Sequence, residues 1–82
     1  MTLKELVELY RQRAGGYGRS IPLSELGLSR EVLERELSAY EEDYQISRFF
    51  QLTRAPEAAS VYTINGYDYS HLTILPEIEE IL

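Results

Sequence analysis

Residues 21–43, IPLSELGLSREVLERELSAYEED, hold the arrangement that most restricts how this chain folds. Gly27 takes a left-handed backbone without steric cost and so ends one helix, and Ser29 offers an oxygen to the free N–H groups that open the next. Leu28, just before that cap, and Leu33, four positions inside the helix, are spaced to meet across the first turn and set the angle of entry. The stretch predicts a short helix, a tight turn and a long helix.

A chain of 82 residues holds one domain with a modest core, and residues 1–82 are read as a single unit. With no cysteine, neither a disulfide nor a thiolate metal site can reinforce it. Association with another chain is the remaining source of buried area, which makes self-association, as a homodimer, an expectation. Glu5 and Glu8 interrupt any leader-like apolar run at the N-terminus, and no apolar stretch is long enough for a membrane span. The expected setting is a cytoplasmic one without a membrane partner.

Thr2 and Glu5 stand at capping-box spacing, and Leu3, Leu6, Val7, Tyr10 and Ala14 recur on one helical face, so residues 1–14 predict an amphipathic helix. Gly15, Gly16 and Gly18 stop it. A phosphate-binding glycine loop would follow a strand and end in Lys-Ser or Lys-Thr, and this one does neither. Ile21 reads as a short strand before Pro22 opens the second helix. The long helix after Ser29 is expected to bury Val32, Leu33, Leu37, Tyr40 and Tyr44.

Beyond it the residues become aromatic and β-branched. Residues 46–53 predict a strand with Ile46, Phe50 and Leu52 on one face and Phe49 on the other. Residues 54–60 form a loop around Pro56, and residues 61–64 and 67–74 predict two strands joined by Asn65-Gly66, the dipeptide best suited to a two-residue hairpin turn. On the last strand Tyr67, Tyr69, His71 and Thr73 would share a face opposite Leu72 and Ile74. Residues 75–82 close the chain with Pro76 where a short helix begins and Ile78, Ile81 and Leu82 as its apolar edge.

This order, and the segment Ile21-Pro-Leu-Ser-Glu-Leu-Gly-Leu-Ser-Arg-Glu-Val-Leu-Glu-Arg-Glu-Leu in particular, resembles the winged helix-turn-helix superfamily. The resemblance implies an α+β, winged-helix-like fold: three N-terminal helices, a small antiparallel sheet in the place of the wing, and a short C-terminal helix. It also implies that the helix starting at Ser29 is the one such proteins present to the major groove.

The charges argue against that use. Six acids against Arg30 and Arg35 leave the long helix and its end at −4, and residues 55–82 carry five acids and no Lys or Arg within a chain of net charge −6. In water each misplaced charge about 7 Å from a phosphate costs roughly 0.6 kcal/mol, so an excess of four opposes docking by about 2 kcal/mol before screening. Nucleic-acid binders need the reverse balance. A small DNA-binding regulator, the second reading, would have to rely on Arg11, Arg13, Arg19, Arg30 and Arg35.

Catalysis finds little material. His71 is the sole histidine, Ser70 as its neighbour would point to the opposite face of a strand, and Glu41, Glu42 and Asp43 fan out around a helix rather than converge on a metal. No catalytic residue, metal or cofactor is expected. The aromatic residues are more informative, because Tyr and Phe supply large rigid contact area at protein interfaces. The expected function is therefore an acidic protein-interaction module that self-associates through Phe49, Tyr67, Tyr69, Ile78, Ile81 and Leu82.

Overall fold

A computed structural model describes the whole chain, Met1–Leu82. Helix α1 (Leu3–Ala14) opens with the reciprocal cap its sequence encodes. Thr2 Oγ1 accepts from the Glu5 N–H at 3.1 Å while Glu5 accepts from the Thr2 N–H at 2.8 Å. Gly15 ends it at φ 74°, where its N–H donates to the Arg11 carbonyl. Strand β1 (Ile21–Pro22) leads into a single 3-10 turn, Leu23–Leu26, closed by Gly27 at φ 73°. The second of the three expected helices is thus a single 3-10 turn, confined to the four residues between Pro22 and Gly27.

Ser29 caps α2 (Arg30–Glu42) by accepting from the Val32 N–H at 3.2 Å. Leu33 and Leu37 are fully buried, whereas Tyr44, expected to extend that row, is 74% exposed. The helix has already ended: Asp43 is extended and its carboxylate accepts from the Gln45 N–H, starting the one-turn helix α3 (Tyr44–Ser47) in a new direction. This cap also shortens the strand expected over 46–53. Ile46 belongs to α3, and strand β2 runs only over Phe50–Thr53.

Strands β3 (Tyr62–Ile64) and β4 (Tyr67–Tyr69) form a hairpin with Ile64 opposite Tyr67, and Asn65 and Gly66 both at positive φ, 50° and 85°. Those are the angles a two-residue type I′ turn requires. The expected strand 67–74 is divided at Ser70, because β4 pairs only with β3 while β5 (His71–Ile74) enters a different sheet. That sheet has the order β1-β5-β2, antiparallel throughout, with Leu72 opposite both Ile21 and Leu52, and Ile74 opposite Phe50. The chain closes in the 3-10 segment Pro76–Ile81.

The architecture is α+β: helices packed on one face of a small antiparallel sheet, with the hairpin beside them. Leu6, Val7 and Tyr10 from α1, Leu33 and Leu37 from α2, Leu72 and Ile74 from β5, Ile64 from the hairpin and Ile78 from the last segment meet in one core. Tyr40 and Phe50 pack edge to face within it, 6.4 Å between ring centres. No helix is long and apolar enough to cross a membrane.

Candidate functional site

The residues expected to meet a partner divide between the core and the surface. Phe49, at 6% exposure, and Ile78, at 0%, lie inside the domain, and Tyr69 is half-buried against it. Phe49 is drawn in because it precedes β2 at the end of α3, where its N–H bonds to the Ile46 carbonyl and its carbonyl accepts from the Leu75 N–H. Ile78 is the one residue of the closing 3-10 segment that turns fully inward. As exposed contacts for a second chain, Phe49 and Ile78 are corrected: they complete this chain's own core. Tyr67, Ile81 and Leu82 stay accessible, at 69%, 38% and 43%.

Division of the last strand also breaks up the face expected to hold Tyr67, Tyr69, His71 and Thr73. Tyr67 and Tyr69 stand on the hairpin while His71 and Thr73 stand on the sheet, whose outer face carries Pro22, Gln51, Thr53, His71 and Thr73. The same break brings Ser70 and His71 together, contrary to the expectation that they point apart. Ser70 Oγ lies 2.7 Å from His71 Nδ1 and accepts from the Ala55 N–H at 2.8 Å. Ser70 is 2% exposed, so this hydroxyl anchors the loop to β5 and offers a substrate no approach.

Three of the five arginines stand beside carboxylates. Arg11 reaches Glu79 at 3.6 Å and lies 5.2 Å from the Tyr17 ring centre. Arg30 meets Glu34 at 3.6 Å, and Arg35 meets Glu36 at 3.7 Å. Arg13 and Arg19 have no carboxylate within 4 Å, and each guanidinium lies instead near a glycine, Gly27 and Gly15 respectively.

A clamp between α2 and the hairpin is the most developed polar arrangement in the molecule. Arg30 donates to the Val61 carbonyl and its guanidinium sits 4.5 Å above the Tyr62 ring. Glu34 accepts from the Thr63 N–H at 2.7 Å, and Asn65 Nδ2 donates to the Ser38 carbonyl at 3.0 Å. Arg30, Glu34 and Ser38 recur every four residues, so one edge of α2 is occupied along most of its length. Leu33 and Leu37 face the core, leaving Glu31, Arg35, Ala39 and Glu42 as the helix's exposed stripe. Alternation in β3 foretells the inward pair Tyr62 and Ile64, but no local signal says that Glu34 will serve a strand 29 residues later.

The closing segment is tied to α1 in a similar way. Tyr17 donates its hydroxyl hydrogen to Glu79, and burial, that hydrogen bond and the carboxylate's charge push the phenol up to about 12. Beside this tie lies a shallow groove of about 190 Å³ lined by Lys4, Val7, Glu8, Arg11, Glu79 and Leu82. A wider, open depression at the end of α1, lined by Glu8, Arg11, Gln12, Gly15 and Gly16, has no apolar wall. No three His, Asp or Glu side chains stand together as a metal site would need. Against known protein families, curated proteins and solved structures, the chain has no significant match.

Proposed function

We propose that this chain is a winged-helix-like protein-interaction module that self-associates, performs no catalysis and acts in the cytoplasm. Support for the scaffold comes from the order helix, short strand, 3-10 turn, long helix, one-turn helix, strand, hairpin, strand, 3-10 segment, together with the sheet order β1-β5-β2. In such a scaffold α2 is the reader helix and the β3–β4 hairpin extends the wing. The observation that carries the reading is the state of that helix. One edge is held by the hairpin, and its open stripe offers Glu31 and Glu42 against a single Arg35 that already lies beside Glu36. A phosphate backbone meets no attraction there. Self-association is assigned to Tyr67, Ile81 and Leu82, the apolar side chains among those expected at an interface that remain exposed.

Titration of random duplex DNA at low salt tests the polarity of the surface. Binding is expected to be weaker than ~0.1 mM at ~50 mM salt, the weak end of nonspecific affinities. Micromolar binding that falls steeply with salt would instead establish the regulator reading through Arg11, Arg13, Arg19, Arg30 and Arg35. Sedimentation over a concentration series tests the partner. Association that is lost in an Ile81→Asp, Leu82→Asp variant supports the assignment, and a strict monomer at all concentrations removes self-association from it.

A further inference from the structure

We propose that the outer edge of β2 is a docking edge for an extended, acid-flanked segment of another protein, which adds to the sheet as a fourth strand. The inference rests on the reading of the chain as a protein-interaction module and gives that module a second surface, apart from the one used for self-association. The sheet has β5 at its centre and therefore two edges. One is closed by its own sequence: β1 is two residues long and its second residue, Pro22, has no N–H to offer.

The other edge is open. The Leu75 N–H bonds to the Phe49 carbonyl, and Gln51 and Thr53 stand opposite Thr73 and His71, so the odd-numbered residues direct their peptide groups toward β5. Phe50 and Leu52 consequently turn their N–H and C=O groups outward, and no turn, loop or side-chain hydrogen bond in the chain reaches them. Proteins usually blunt such an edge with proline, a bulge or charge within the strand, and Phe50–Thr53, FQLT, contains neither proline nor charge.

Charge selects the occupant. From Tyr44 through Pro56 there is no acid, and β2 is bracketed by Arg48 and Arg54 in a chain of net charge −6. Arg48 lies 4.5 Å from the Phe49 ring with no carboxylate within 4 Å, and Arg54 reaches Asp68 only at 3.9 Å with both side chains about half exposed. A second copy is a poor fit. Antiparallel pairing of β2 with itself, centred on Gln51 so that Phe50 and Leu52 bond to each other's peptide groups, brings Arg54 of each copy to the end of the strand where the other carries Arg48. An extended segment paired with Phe50–Thr53 and carrying a carboxylate beyond each end of the paired stretch meets both arginines instead.

The test is an NMR titration of the isotope-labelled full chain with three synthetic peptides: a Val/Thr strand flanked by Glu, the same strand flanked by Lys, and the Glu peptide N-methylated at alternate residues. Expected are shifts centred on the Phe50 and Leu52 amides, slowed exchange of those two amides, and affinity for the Glu peptide roughly tenfold above the Lys peptide. N-methylation should abolish binding. An Arg48→Glu, Arg54→Glu variant, altered only at exposed positions, should reverse the preference. Absence of shifts at β2, or binding indifferent to N-methylation, overturns the docking edge. Shifts that fall on Tyr67 and the closing segment overturn it too while leaving the interaction-module reading intact, whereas salt-sensitive DNA binding removes that reading itself.

Discussion

The three-stranded sheet and the β3–β4 hairpin are both antiparallel and both lie against helices, but they are held by different forces. In the sheet, Leu72 and Ile74 of the central strand are fully buried under the helices, and the attachment is a matter of apolar area and a continuous ladder. The hairpin has an inward pair too, Tyr62 and Ile64, at 6% and 1% exposure. It adds to this a row of polar ties to Arg30, Glu34 and Ser38 that the sheet does without. A three-residue strand pair buries too little to stay in place on apolar contact alone, and polar ties restrict where on the helix it can sit. The sheet therefore sets the stability of the domain, and the hairpin sets which face of α2 is available.

That division is broken most directly at Leu72. Replacement by alanine removes a fully buried side chain from the one strand that pairs on both sides, and is expected to cost about 3 kcal/mol in urea denaturation, a large share of the stability of a domain this small. Ile64→Ala is expected to cost less, about 2 kcal/mol, because the end of a hairpin can settle into the space left behind. Equal costs would mean that the hairpin's apolar contact contributes as much to stability as the central strand's.

Much of this was legible in the residues, and the failures have different causes. The Thr2 and Ser29 caps, the stops at Gly15 and Gly27 and the Asn65-Gly66 turn are all set by neighbours within a few positions, and each formed where the spacing placed it. The division of strand 67–74 had a signal in the residues that β-rich composition obscured: across the adjacent polar pair Ser70-His71 the apolar positions shift from odd, Tyr67 and Tyr69, to even, Leu72 and Ile74. What divides it is distant: the Ser70 N–H bonds to the Thr53 carbonyl, its carbonyl accepts from the Leu23 N–H, and its hydroxyl takes the Ala55 N–H. The short helix α3 replaced the start of a strand for a local reason, the Asp43 cap, that β-rich composition outweighed in the reading. For the candidate surfaces, sequence named Tyr67, Ile81 and Leu82 on apolar character alone. It had no means of separating them from Phe49 and Ile78, whose burial depends on the closing segment folding back.

The hairpin's polar ties are sharpened by Arg30→Ala, which removes an ion pair, a hydrogen bond and a cation–π contact at once. The expected loss is about 1 kcal/mol, since Arg30 is half exposed and water replaces part of what is lost. The more discriminating measurement is native-state hydrogen exchange. Amides of β3 should exchange faster in this variant while those of β5 stay as protected as before. Uniform loss across both regions would show the ties to be part of the core rather than a clamp on one face.

The smallest expected effect asks whether α2 carries a polar group that serves neither region. Glu41 lies near the end of the helix with one carboxylate oxygen buried and without a hydrogen-bond partner, and burial raises its pKa above the ordinary carboxylate value. A raised pKa in the folded state means that folding favours the protonated form. The side chain therefore fits best below the carboxyl's unfolded pKa, near 4.3, and its fit worsens as pH rises through the folded value. Glu41→Gln, neutral at every pH, should stabilise the protein at pH 7 by about 0.5 kcal/mol, discounted for the solvent that reaches the rest of the side chain, and by nothing near pH 3. A negative charge in the last turn of a helix is unfavourable for a second reason, the helix dipole, and Glu42 shares that position while remaining exposed. Glu42→Gln is the control: an equal gain there assigns the effect to the dipole, and a gain confined to Glu41 assigns it to the buried oxygen.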